Sequence, residues 1–224
     1  MSLNESKGNM YSWVTHTWNT IKGECPHGCT YCYMHRWGKQ KPPRLDESEF
    51  RSVMGEGNTI FVGSSCDMFA DDIPSEWIER TLGFLNLAPY NTYLFQSKNP
   101  ARMSWYLLRD YFPKNSVFCT TIESNRVIND IMGNTPTPTN RALYMKRISN
   151  VAKTYVTIEP IMDFDLDEMV DIIHTCEPTQ VNIGADTGNN NLPEPSRDKL
   201  IALIEALKTF TIIDQKKNLG RLLK

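Results

Sequence analysis

Apolar and polar positions along the chain fall into short runs of two different periods. Thr59–Gly63 (TIFVG), Thr92–Gln96 (TYLFQ), Ser116–Thr121 (SVFCTT), Thr154–Ile158 and Gln180–Gly184 are compact and apolar, rich in β-branched and aromatic residues. Strands covered on both faces have that composition. Between them lie segments with helical spacing: Pro74 to about Leu87, Pro100–Tyr111, Arg141 to about Val151, Leu166–Thr175 and Ser196–Phe210. Tyr11–Asn19 alternates bulky with small or polar residues and predicts a first strand. Cys32–Gln40 predicts the first helix, stopped before Pro42-Pro43. Thr211–Asp214 has the pattern of a short last strand. Strands alternating with helices imply parallel βαβ units. Six such units predict an α/β architecture, a partial (β/α)6 TIM-like barrel with parallel strands. No long linker, internal repeat or low-complexity stretch divides residues 1–224, so a single domain is expected.

In such a barrel the polar residues at the carboxyl ends of strands line the active mouth. Those positions are occupied here by Cys66 and Asp67, Ser97 and Lys98, Glu123 and Asn125, Glu159, and Asp186.

Composition narrows the partners. A chain of 224 residues with 40% hydrophobic content suits a soluble globular domain, and a formal charge of −2 gives no long-range attraction to nucleic acid. Nucleic acid remains a candidate partner through one local run, His35-Arg36-Trp37-Gly38-Lys39-Gln40-Lys41-Pro42-Pro43-Arg44, where cations interleave with a tryptophan. The competing reading of that run is an ordinary solvated helix end. No apolar run has the length of a membrane span, and the polar start MSLNESKGNM has no signal-peptide pattern. No membrane partner is expected, and a cytoplasmic location is. Six cysteines in a chain of this size do not suggest a disulfide scaffold.

Three of those cysteines lie within eight residues, Cys25-Pro26-His27-Gly28-Cys29-Thr30-Tyr31-Cys32, spaced C-x3-C-x2-C. Clustered thiolates on one loop suit adjacent corners of an iron–sulfur cubane, and a cubane with only three cysteines keeps one iron open. The alternative is that the cysteines are structural, in a zinc site completed by His35 or His27 or in a cluster, which would make the chain a non-catalytic zinc- or Fe–S-bearing interaction module. No second C-x2-C or H-x3-H pair supports zinc.

The arrangement C-x3-C-x-aromatic-C, with Cys25, Cys29, Tyr31 and Cys32 in register, resembles the signature of the radical S-adenosylmethionine (SAM) enzymes. Ser64-Ser65-Cys66-Asp67 followed by Pro74, and Gln96-Ser97-Lys98-Asn99-Pro100, resemble loops of the branch related to spore photoproduct lyase. With Ile122-Glu123-Ser124-Asn125, Ile158-Glu159-Pro160 and Gly184-Ala185-Asp186-Thr187-Gly188, the order is similar to a phage-associated radical SAM family over most of the chain.

The resemblance implies a [4Fe–4S] cluster on Cys25, Cys29 and Cys32, with SAM on the open iron. Reductive cleavage of SAM then gives a 5′-deoxyadenosyl radical that abstracts hydrogen from a substrate. By the same resemblance Lys98 holds the SAM carboxylate, and Ser64 and Ser65 lie where backbone carbonyls bind its amino group. The usual Gly-Gly-Glu is absent at that place. Glu123 or Asn125 is assigned to the ribose hydroxyls, Tyr31 to the adenine edge, and Cys66 to returning a hydrogen atom. Cys66 has the competing reading of a buried packing residue, which Cys119 and Cys176 share. Asp67, Glu159 and Asp186 are candidates to engage a polar substrate. The implied substrate is a nucleobase, nucleotide or modified DNA, the alternative a small metabolite such as an amino acid or deazapurine precursor. A one-electron reductant of flavodoxin or ferredoxin type is the implied partner.

Overall fold

The computed structural model describes residues 3–224. Its strands in chain order are β1 (Asn4–Glu5), β2 (His16–Trp18), β3 (Ile21–Lys22), β4 (Arg44–Leu45), β5 (Thr59–Val62), β6 (Thr92–Gln96), β7 (Ser116–Thr121), β8 (Lys153–Ile158), β9 (Gln180–Ile183) and β10 (Ile212–Gln215). The α-helices are α1 (Ser75–Leu85), α2 (Pro100–Leu107), α3 (Asn129–Met132), α4 (Pro138–Ser149), α5 (Leu166–Thr175) and α6 (Arg197–Leu207). An eight-stranded sheet runs β1-β2-β5-β6-β7-β8-β9-β10, and β3 pairs with β4 in a separate ribbon. From β2 to β10 every pairing in the large sheet is parallel, while β1 lies antiparallel on its edge.

The two-residue period of the strands sorts their side chains between two cores. Ile60, Val62, Tyr93, Phe95, Phe118, Val156, Ile158, Val181 and Ile183 point to the helical layer. There they meet Ile78 and Leu82 of α1, Met145 and Ile148 of α4, Met169 and Ile173 of α5, and Leu200 and Leu203 of α6. The alternate positions Phe61, Leu94, Val117, Cys119 and Tyr155 form a second core on the other face of the sheet.

That inner core corrects the expected first strand. Only His16–Trp18 pairs with β5, from His16↔Ile60 to Trp18↔Val62. Tyr11 and Val14 join the inner core instead, with Met10 and Trp13 packed against it. The alternation of bulky and small residues here fits a turn, closed by the Val14 N–H on the Tyr11 carbonyl, whose rings fill the barrel. Tyr11 stacks on Trp13 at 5.3 Å, and Trp13 meets Tyr155 edge-on. The Tyr11 hydroxyl is tied to Thr157 at 2.6 Å and Gln96 at 2.7 Å.

Other boundaries differ from expectation, α2 ending at Leu107 and α6 at Leu207 among them. The expected Cys32–Gln40 helix is a single 3-10 turn, Tyr33–Trp37, ended by Gly38 at φ +76°, a left-handed value that glycine adopts without strain. Helix α4 starts at Pro138 rather than Arg141, because Thr137 caps it by accepting the Asn140 N–H. The short last strand expected at the tail is present one residue further on: β10 pairs with β9 from Ile212↔Gln180 to Gln215↔Ile183, adding a parallel strand to the six of the expected barrel. Among the described residues no helix is long and apolar enough to cross a membrane.

Candidate functional site

The cysteine loop follows β2 and the β3 residues Ile21–Lys22, and it is clasped from behind by the end of α3. The Thr30 N–H donates to the Ile131 carbonyl, the Asn134 N–H to the His27 carbonyl, and Cys29 Sγ lies 3.2 Å from the Met132 carbonyl. Gly133 makes the approach possible: at φ +66°, a Cβ there would fall 2.1 Å from the His27 carbonyl oxygen. In sequence, 132–140 is an irregular Pro/Thr/Asn loop with no sign that it backs the cysteines.

Asp67 joins that loop to the next two strand ends. Its carboxylate meets His27 Nε2 at 2.8 Å and accepts from Ser97 Oγ at 3.0 Å, the Lys98 N–H at 2.8 Å and the Phe69 N–H at 3.0 Å. Burial opposes ionisation of both groups, but the pairing outweighs it, raising the His27 pKa and lowering that of Asp67. Asp67, expected to face a substrate, is thus committed to holding three segments together.

Lys98 sits at the centre of the mouth with its side chain 16% exposed. Its Nζ lies 3.2 Å from Cys29 Sγ, 2.8 Å from the Tyr31 hydroxyl and 3.2 Å from Glu123 Oε1. Burial alone would depress its pKa; Tyr31, Glu123 and Cys29 drive it well above the ordinary lysine value. Glu123 is fully buried, accepting from the Tyr31 hydroxyl on one oxygen and from Arg141, at 2.6 Å, on the other. Arg141, also fully buried, donates further to the carbonyls of Thr121 and Pro136 and to Thr135 Oγ1. It fixes α4 to the β7 end and to the loop behind the cysteines. Sequence reasoning missed Arg141, although it lies four and seven residues before Met145 and Ile148 on the buried face of one helix.

Cys66 neighbours Cys25. The Cys66 thiol draws the Cys25 pKa down to about 6, and its own is pushed far up by the same partner and by burial. Burial raises the Cys32 pKa. Ser65, beside Cys66, carries a buried hydroxyl with no hydrogen-bond partner. Ser64 Oγ and the Ser65 N–H both donate to Asn19 Oδ1, while the Ser64 carbonyl accepts from Tyr33.

The remaining expected site residues are engaged elsewhere. Asn125 donates to Asp165 and Glu168 and accepts the Asp165 N–H, tying the β7 end to the start of α5. Glu159 binds Asn9, Lys216 and Asn218, beside the barrel's open edge. Asp186 accepts from the Gly188 and Asn190 N–H groups and so closes its own turn.

Neither zinc-completing histidine faces the cysteines: His27 is held by Asp67, and His35 is exposed with Nδ1 on the Thr30 carbonyl. Among the described residues no three His, Cys, Asp or Glu side chains gather about one point. Three thiols on one loop, a cation beside Cys29 and an orphaned hydroxyl at Ser65 suit a cubane with a polar ligand at its side.

Solved structures of spore photoproduct lyase share this fold. A cysteine-to-serine mutant aligns with a TM-score of 0.67 at 11% identity over 92% of this chain and 78% of that one. A tyrosine-to-phenylalanine mutant aligns at 0.64 and 10% identity, over 95% and 80%. A double mutant with bound AdoMet and dinucleoside spore photoproduct aligns at 0.59 and 13% identity, over 93% and 66%. Identities this low carry the fold alone. Among curated proteins none matches this sequence. One family model, described as a protein of unknown function (DUF5131), matches residues 9–194. With that match running from the barrel plug at Tyr11 past the last mouth residue, Asp186, the chain belongs to the DUF5131 family.

Proposed function

We propose that this chain is a radical SAM enzyme acting as one domain in a reducing, cytoplasmic setting. The observation that carries the reading is Lys98: its ammonium stands 3.2 Å from Cys29 Sγ, at the mouth of a barrel shared with a protein solved with AdoMet bound. A [4Fe–4S] cluster, when bound, would supply the electron that splits SAM into methionine and a 5′-deoxyadenosyl radical.

This chain's residues do the rest. Cys25, Cys29 and Cys32 hold the cluster, and the clasp through Gly133 keeps their loop in one conformation. Lys98 presents a fixed positive charge to the SAM carboxylate, and the Glu123–Arg141 pair beneath it sets its position. Ser65 offers its unpartnered hydroxyl to the polar end of SAM, beside the backbone of Ser64. Tyr31, held by Glu123 and Lys98, lines the same wall. Cys66, 2% exposed and next to Cys25, is placed to return a hydrogen atom to a product radical. A nucleobase or nucleotide, free or within DNA, is the substrate class this reading favours, supported by the AdoMet and dinucleoside photoproduct bound in a structure of the same fold.

The test is anaerobic reconstitution with iron and sulfide, then SAM and dithionite, assaying 5′-deoxyadenosine with Cys29→Ala as control. Formation by the wild type alone is expected. Zinc in the site with no cluster assembled would overturn the proposal.

A further inference from the structure

The surface immediately beyond Cys32 differs from the rest of the molecule. From Cys25 to Leu45 the sequence holds Arg36, Lys39, Lys41 and Arg44 and no Asp or Glu, leaving twenty of the twenty-four Lys and Arg against all twenty-six acids elsewhere. All four side chains are exposed, and none forms an ion pair among the described residues. On the far side Asp46 and Glu49 bind Lys22 and Glu47 binds Arg80; on the near side the exposed Glu24 lies against the patch, its N–H on the Lys41 carbonyl at 2.8 Å, so the four cations keep a net excess of three positive charges. Two large rings stand open on the same 3-10 turn, Trp37 at 61% and Tyr33 at 41% exposure. Arg36 lies over both, 5.2 Å from the Trp37 ring and 5.7 Å from that of Tyr33. The Tyr33 hydroxyl donates to the Ser64 carbonyl, so the turn is anchored to the rim of the mouth.

We propose that the surface from Tyr33 to Arg44 is the docking site of an acidic one-electron carrier protein that reduces the cluster on Cys25, Cys29 and Cys32. The inference rests on the function proposed above, whose chemistry begins with an electron from outside. The carrier loses one electron and the cluster gains one; no bond forms or breaks. Tyr33 is bonded directly to the third cysteine, so a carrier seated on these rings lies one residue along the chain from a cysteine assigned to the cluster. Elsewhere the chain's net negative charge repels an acidic partner, and this patch reverses the sign.

The size of the patch argues against a nucleic-acid track. A single-strand groove follows several nucleotides with successive stacking rings, whereas this surface offers one pair of rings and four cations within a dozen residues. Electron-transfer encounters are characteristically small and steered by charge.

The experiment uses flavodoxin, an acidic flavin carrier, as the probe. Binding to the cluster-free protein is measured by titration calorimetry at low salt, and reduction of the reconstituted protein by reduced flavodoxin is followed by absorbance. In R36E/K39E/K41E, binding should weaken and reduction should slow by about tenfold or more, with the difference closing as salt rises. The milder K39Q/K41Q should show a smaller change in the same direction. R109E is the control, because Arg109 stacks at 3.9 Å on the exposed Trp105 of α2, away from the cysteines. Dithionite should reduce wild type and variants alike. Equal losses in R109E, or no loss in the triple variant, would overturn the docking site. So would a labelled single-stranded oligonucleotide that binds wild type and is lost in the triple variant while flavodoxin binding persists. If dithionite itself reduces no cluster, the enzyme reading fails, and the cluster-free titration still decides the docking surface.

Discussion

Replacing Glu123 with Gln tests the buried charges beneath the mouth. Glu123 is fully inaccessible, with Arg141 at 2.6 Å, Lys98 at 3.2 Å and the Tyr31 hydroxyl all on its two oxygens. Gln keeps the volume and removes the anion, leaving two cations facing each other without compensation. Breaking a buried pair in this way costs about 3–5 kcal/mol, a large share of the ~5–15 kcal/mol that holds a typical domain. At this chain length each kcal/mol moves Tm by about 2–4 °C, so a fall of about 6–20 °C is expected at neutral pH. The pH dependence has a definite sign. Burial alone would raise the Glu123 pKa, but Arg141, Lys98 and Tyr31 hold it well below the carboxylate range. Its contribution is therefore complete above the unfolded value of about 4.3 and is lost as pH falls below it towards the folded value. Calorimetric melts from about pH 3 to about pH 7 should show wild type losing Tm more steeply than E123Q on the acid side. Part of the loss should return in E123Q/R141M, where one stranded cation is removed as well. A drop of less than about 2 °C in E123Q, or the same acid slope in both proteins, would refute an ionised anchor at this position.

Three further substitutions probe neighbouring parts of the site. Gly133→Ala places a methyl group 2.1 Å from the His27 carbonyl, so the clasp must open; iron bound per protein after reconstitution should fall well below wild type, and normal loading would dismiss the clasp. Lys98→Met removes the cation beside Cys29, and titration of SAM onto reconstituted protein should show about 10–100-fold weaker binding, the range for a charged hydrogen bond; unchanged affinity would move the carboxylate elsewhere. Cys66→Ala should keep the cluster and still form 5′-deoxyadenosine while altering the substrate-derived product; loss of bound iron would instead make Cys66 a ligand.

Much of the barrel is legible in the sequence because its strands are covered on both faces and read as apolar runs. β6, β7 and α5 fall where the sequence puts them, and the cysteine loop stands at the mouth. Tyr11–Val14 misleads because a plug inside a barrel carries the same bulky-and-small rhythm as a strand. Only the parallel ladder with β5, whose register starts at His16↔Ile60, separates the two. The strand-end polar residues are visible in sequence, but their partners are not. Asp67, Glu123 and Asn125 look alike there as acids or amides at strand ends. Their roles diverge because His27, Arg141 and the start of α5 arrive from segments distant in sequence. Lys98 falls where its sequence position puts it, in the short loop between β6 and α2.

The plug at Tyr11 also dictates an order of events during synthesis. Its hydroxyl closes on Thr157, 146 residues downstream, and Asn9 reaches Glu159 across 150. This early segment leaves the ribosome well before its partners and cannot settle until they have followed. Until then the rings of Tyr11 and Trp13 and the inner faces of β5 and β6 stay wet, a state in which long-range contacts form slowly and exposed apolar strands invite aggregation. Yield in the cell should depend on what holds that nascent segment apart from its neighbours, so a bulky soluble fusion on its amino-terminal side is the arrangement that favours recovery of the folded chain.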